Sequence, residues 1–202
     1  TVADQYISYP NDLSLVNEAR VKTEKIIDEL FEPLRALMPV KPRTYRKTAH
    51  KRYLAESKKR QKNKVSLRKT LRVLLNCVKR NTTNIHKMLD LIAENEIDFN
   101  LHEKYYKQLW VIATLYEQQQ KMYDEKTNRC DDRILSISQP HIRPIVTCPV
   151  RRGKQGKKVE FGSKLGVSLA NGYVKAETMS WDAYNESSDL PMQAEAYKTL
   201  YG

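Results

Sequence analysis

Glycine and proline are missing from one unbroken stretch of the chain, Arg43 to Gln139. Both residues punctuate loops and strand ends, so their absence argues against a strand-and-turn architecture there and predicts mostly helix. Glycine is sparse overall, six in 202 residues, and none precedes Gly153. Cys77, Cys130 and Cys148 are widely spaced and odd in number. They exclude a disulfide framework and a zinc pattern, and read as free thiols of a reducing cytoplasm. His50, His86, His102 and His141 show no ligand spacing, and no Ser-His-Asp or Cys-His arrangement is legible. No apolar run approaches the roughly 18–20 residues that a membrane helix needs. The opening Thr1-Val2-Ala3-Asp4 has neither the charged nor the apolar part of a secretory signal.

Acid is the other local shortage. Between Lys41 and Arg80 sixteen Lys and Arg face a single carboxylate, Glu56. That excess is larger than the +12 of the whole chain, so the remainder is net acidic. A solvated helix face is the ordinary reading of a basic run, but a block this uniform repels itself and calls for a counter-charge. Nucleic acid supplies it first, an anionic membrane surface second. A second cluster, Arg151, Arg152, Lys154, Lys157 and Lys158, surrounds Gly153 and Gly156, with Lys164 just beyond. Glycine lets a backbone approach phosphate closely, although the spacing is not that of a Walker loop. An exposed hairpin connection is the alternative there. The expected DNA contacts are therefore Lys58, Lys59, Arg60, Lys62, Lys64, Arg68, Lys69, Arg151, Arg152, Lys154, Lys157, Lys158 and Lys164. If six to ten cations meet phosphates, affinity falls by about 10³ to 10⁵ between 50 and 200 mM salt.

Taken in order, Thr1 to Ile7 reads as the end of a strand, stopped by Tyr9-Pro10. Asp12 is the expected N-cap of a helix carrying Leu13, Val16, Ile27, Leu30, Leu34 and Leu37, with Pro33 near its end and Pro39 and Pro42 beyond it. Two longer apolar stripes follow. Leu67, Leu71, Leu74, Leu75, Val78, Ile85, Met88, Leu89 and Ile92 form one; Leu101, Tyr105, Leu109, Ile112, Leu115, Gln119 and Met122 form the other. They predict an antiparallel helical hairpin turning between Glu94 and Asn100. After Arg133 short apolar runs are broken by Pro140, Pro144 and Pro149. Leu165, Val167 and Leu169 then alternate into Asn171-Gly172, the strongest short-range hairpin signal. Asp189 to Leu200, with Pro191 in its first turn, predicts a helix.

Asp4, Asp12, Glu160, Asp182, Glu186 and Asp189 lie in or beside the β portion. Metal-dependent phosphoryl transfer needs two or three carboxylates converging on a metal pair, which spacing alone does not show.

Four ordered blocks carry a family likeness. The first is Tyr9-Pro10-Asn11-Asp12-Leu13-Ser14-Leu15 with Asn17-Glu18-Ala19-Arg20. The second is Arg143-Pro144-Ile145 with Arg152-Gly153-Lys154. Glu160-Phe161-Gly162-Ser163-Lys164 and Trp181-Asp182-Ala183-Tyr184-Asn185-Glu186 complete the set. Together they resemble bacterial insertion-sequence transposases of the DDE type, and the likeness runs over nearly the whole chain. Asn11, where Thr is expected, and the extra Thr147-Cys148-Pro149-Val150 depart from the pattern. The resemblance implies a mixed α+β chain: a partial ribonuclease-H-like β-sheet with a long, mainly α-helical insertion. Residues 1–12 would end the first core strand, 13–129 form the basic insertion, and 130–202 supply the β-hairpin portion of the core and the start of a helix. It implies strand cleavage and strand transfer on double-stranded DNA, using Mg²⁺ or Mn²⁺ in the intact enzyme. It places the first catalytic Asp just before Thr1 and the second Asp and the Glu beyond Gly202, so no catalytic residue and no bound metal are assigned to this chain. A bacterial cytoplasmic, nucleoid-associated location is implied, and a homodimer is left open. A sheet short of its later elements would leave one face uncovered and be marginally stable. The rival expectations are a non-catalytic basic helical protein that binds nucleic acid, and a helical protein that binds an acidic partner.

Overall fold

The computed structural model describes residues 11–61, 63–146, 159–181 and 184–201. The expected strand Thr1–Ile7, Lys62 and the loop Arg151–Lys158 lie outside the described residues. The chain is mixed α+β and mostly helical. It divides into two compact units between Pro140 and His141. No helix among the described residues is long and apolar enough to cross a membrane.

The described residues of the first unit form four helices: α1 (Asp12–Leu34), α2 (Arg46–Ser57), α3 (Lys64–Glu94) and α4 (Glu103–Asp124). Asn11, not Asp12, caps α1. Asn11 keeps an extended backbone (φ −126°, ψ 146°) and its Oδ1 accepts from the Ser14 N–H at 2.8 Å, while Asp12 is already helical. Asp12 instead receives hydrogen bonds from Gln119 and Arg133. Pro33 sits one residue from the helix end, and the chain leaves helical geometry beyond it.

The expected α3–α4 hairpin forms. Residues 74–78 of α3 share a core with Ile112 and Leu115, while Ile85, Met88 and Ile92 pack with Leu101, so the two helices run antiparallel. α1 lies parallel to α3: Leu13 to Ala19 meet the first group and Ile26 to Leu34 the second. α2 runs against both, its start tied to Asp28 by Arg46 and its later turns to Ser14 by Tyr53. Each fully buried Leu or Ile stabilises this assembly by about 1.5–3 kcal/mol.

Two apolar clusters are separated by a polar layer of buried Arg20, Thr23, Glu24 and Asn81. Arg20 pairs with Glu24 and donates twice to the Asn17 Oδ1, and the Asn81 amide donates to the Thr23 hydroxyl at 3.1 Å. The Asn81–Thr23 bond crosses from α3 to α1, so a one-turn slip of α1 along α3 would break it and leave the buried Asn81 amide unpaired.

The helical hairpin closes without glycine. Glu96 and Lys126 take the left-handed conformation (φ 48° and 55°) after α3 and α4. In both cases the next residue donates back to the carbonyl five positions earlier, Ile97 to Ile92 and Thr127 to Met122. Side chains with a β-carbon accept that geometry at roughly 1 kcal/mol each. The segment 130–140, assigned above to the β portion, packs with the helices through Ile134 and Ile137.

The described residues of the second unit form two two-stranded antiparallel sheets. β1 (Pro144–Val146) pairs with β2 (Val159–Phe161), and β3 (Lys164–Ala170) with β4 (Tyr173–Ser180). Asn171 and Gly172 both have positive φ (52° and 82°), as the tight two-residue hairpin turn requires. Gly166 lies against the turn that follows: a β-carbon there would stand 2.8 Å from the Asp189 carboxylate, which accepts from the Tyr184 hydroxyl. One face of the hairpin is apolar and open, with Leu165, Val167, Leu169, Val174 and Met179 all more than half exposed. A short 3₁₀ turn (Glu186–Asp189) leads into α5 (Leu190–Tyr201), as the Pro191 signal predicted.

Candidate nucleic-acid interface

α2 and α3 carry the basic block on the surface of the helical unit. α2 buries only Ala49 and Glu56. It is therefore held less by apolar packing than by polar ties at its two ends. At its start, Asp28 receives two hydrogen bonds from Arg46 (2.9 and 2.6 Å) and an ion pair from Lys41 (2.6 Å). Burial pushes the Asp28 carboxyl up, but these cations outweigh it and hold the group below its usual range. At its end, Glu56 Oε2 accepts from Lys59 Nζ (2.7 Å) and Ser66 Oγ (2.6 Å), pinning α2 to the first turn of α3. The one acid of the basic block is thus a structural pin, 3% exposed.

The fold sorts the predicted contacts into two groups. Lys58, Arg60, Lys64 and Lys69 are exposed and make no ion pair among the described residues. The others that are described have partners. Lys59 serves Glu56; Arg68 donates to the Tyr123 carbonyl at 2.8 Å and lies over that ring. Lys164 belongs to the other unit, donates to the Tyr184 carbonyl and stands over its ring. Lys62, Arg151, Arg152, Lys154, Lys157 and Lys158 lie outside the described residues.

Further cations join the exposed set. Lys47, Lys51 and Arg52 on α2, and Arg72 and Lys79 on α3, are exposed and unpaired among the described residues. The sequence held a signal for them. Lys47 and Lys51 are four apart, and Lys69, Arg72, Asn76 and Lys79 repeat every three or four residues, which is one helix face. Helical spacing, not adjacency along the chain, gathers them on one face.

The helix ends add a second electrostatic observation. α1 and α4 start with an acid in the first turn, Asp12 and Glu103, as the positive end of the helix dipole favours. α2 and α3 have none; they start with Arg46-Lys47 and Lys64. α2 also lacks a side-chain cap. Asp28 already offsets Arg46 at the α2 start. That leaves Lys47 there and Lys64 on α3 as cations without an ion pair among the described residues. Each costs roughly 0.3–1 kcal/mol, which a docked anion removes.

Among the described residues the candidate carboxylates do not gather. Asp12 serves Gln119 and Arg133, Asp189 is buried against Tyr184, and Asp4 and Asp182 lie outside the described residues. Among the described residues no three His, Cys, Asp or Glu converge to hold a metal ion. No family model, no curated protein and no solved structure matches the chain.

Proposed function

We propose that this chain is a DNA-binding piece of a DDE transposase of the bacterial insertion-sequence type, and that its α2–α3 face lies along the phosphates of duplex DNA. The observation that carries the DNA part is the exposed, acid-free set of cations on that face, including Lys47 and Lys64 in the first turns of two helices. The transposase part rests on the four ordered sequence blocks. Phosphate contacts of this kind set the position and orientation of a duplex and do not read its sequence.

The finer fold reading, a partial ribonuclease-H-like sheet interrupted by a helical insertion, belongs to the same proposal. It draws support from the β3–β4 hairpin and from the open apolar face that a larger sheet would cover. The reading implies Mg²⁺ or Mn²⁺ in the intact enzyme. The described residues do not fit such a site, so no reaction step is assigned to them. Their part is to hold DNA, in the cytoplasm of a bacterial cell, as a monomer or a homodimer.

The test is equilibrium binding of a labelled duplex across a salt series from 50 to 200 mM. The proposal expects a steep linear fall in log affinity with log salt, corresponding to several phosphates. Absence of binding at 50 mM, or binding without salt dependence, sinks it. A non-catalytic basic helical protein would share this interface. The coding sequence on either side separates the two, since only the transposase reading requires an upstream Asp and a downstream Asp and Glu.

A further inference from the structure

A pocket of about 240 Å³ opens between α2 and α3. Tyr45, Thr48 and Arg52 line it from the α2 side, and Asn76 and Arg80 from α3. Ala49 and Val73 give it an apolar wall, and no lining residue is acidic. The two guanidinium groups are held differently. Arg80 is fixed: it donates to the Thr44 carbonyl at 3.2 Å, touches Cys77 Sγ at 3.5 Å and stacks 4.6 Å from the centroid of the Tyr45 ring. Arg52 is exposed and has no ion-pair partner among the described residues. Tyr45 is 54% exposed and sits at φ 54°, a left-handed geometry that a tyrosine rarely adopts. Its ring lines the pocket and is backed by Arg80.

We propose that this pocket seats one nucleotide of an unpaired nucleic-acid strand, with the phosphate between Arg52 and Arg80 and the base stacked on Tyr45. The proposal rests on the nucleic-acid reading of the α2–α3 face and adds a preference to it. Two cations with a hydroxyl and a carboxamide suit a phosphodiester, and an apolar wall beside an exposed ring suits a base. The volume falls just below the range of pockets that enclose drug-sized ligands, so it admits about one nucleotide. A duplex offers its phosphates to such a pocket but keeps its base faces stacked on one another; a single strand offers both.

The experiment measures polarisation of labelled 15-nucleotide DNA and RNA single strands and of the matching 15-base-pair duplex, from 50 to 200 mM salt. Tyr45→Leu is expected to weaken single-strand binding about 5- to 150-fold, the worth of one stacked base, with the salt slope unchanged and duplex binding within about twofold. Tyr45→Phe should keep single-strand affinity within about twofold. Arg52→Gln should lower the single-strand salt slope by about 0.7. Losses confined to DNA, to RNA, or shared by both all support the pocket, and the two arms say which sugar it accepts. Equal losses on single strand and duplex for Tyr45→Leu, or single-strand binding and slope unmoved by both Tyr45→Leu and Arg52→Gln, overturn the pocket while leaving the interface standing. If the unaltered chain binds none of the three probes, the interface fails with it.

Discussion

Neutralising Lys69, Arg72 and Lys79 together probes the interface where it is most regular. The three lie on the exposed face of α3 and make no ion pair among the described residues, so the change leaves the fold intact. At a rise of 1.5 Å per residue they span about 15 Å, a length over which one strand of a duplex presents about four phosphates. The proposed interface therefore offers each cation a phosphate of its own. Every phosphate neutralised contributes about 0.9 to the slope of log affinity against log salt, so the triple Gln variant should lose about 2.7 from that slope. Over the fourfold range from 50 to 200 mM, its affinity should then fall roughly 40-fold less than that of the unaltered chain. The assay is fluorescence polarisation with a labelled duplex, with circular dichroism to confirm that the helices remain. A matched control, Lys104→Gln, Lys107→Gln and Lys121→Gln on α4, removes the same charge elsewhere and should leave the slope nearly unchanged. Equal shifts in the two triples would mean that net charge acts, not this face, and would refute the reasoning. So would an unchanged slope in the α3 triple.

Three further outcomes are expected. Asp28→Asn should destabilise the helical unit by about 0.5–1 kcal/mol, a modest figure because its partners Arg46 and Lys41 are more than a third exposed. Since the native Asp28 carboxyl lies below its usual range, its contribution is present above about pH 4 and lost as pH falls below that; urea melts at pH 7 and pH 3 should show the two proteins converging in acid. In the polar layer, burial pushes the Glu24 carboxyl up despite its Arg20 partner. Removing either partner alone, by Arg20→Met or Glu24→Leu, should cost about 3–5 kcal/mol, and the double variant should cost clearly less than either single; a double variant as unstable as the sum of the singles would contradict the pairing. Finally, the purified 202-residue chain should bind DNA without nicking it in Mg²⁺, a result read on a supercoiled plasmid; nicking that survives repurification would end the assignment of catalysis to residues outside the chain.

Much of the architecture was readable from local rules. The glycine- and proline-free stretch became mostly helix, and its two apolar stripes became α3 and α4. Asn171-Gly172 became the hairpin turn because few residue pairs accept two positive φ angles in succession. The break between α2 and α3 was harder to see, since neither glycine nor proline marks it. The readable signs were Asn63, whose side chain caps α3, and the run of like charges before it. The cap of α1 was misplaced by one residue because Asn11 and Asp12 are both good caps, and only the backbone angles distinguish them.

The amino-acid order alone determined where positive charge concentrates, which segments are helical and where the hairpin turns, because each depends on neighbours within about four residues. Tertiary structure alone decided which cations are held by partners and which make no ion pair among the described residues. Arg68 is held by Tyr123, Arg46 by Asp28 and Arg80 by Thr44, partners 55, 18 and 36 residues away. Such pairings follow from α1 lying parallel to α3 with α2 running against both, and that arrangement is set by which apolar faces bury one another, a condition no single stretch of sequence contains.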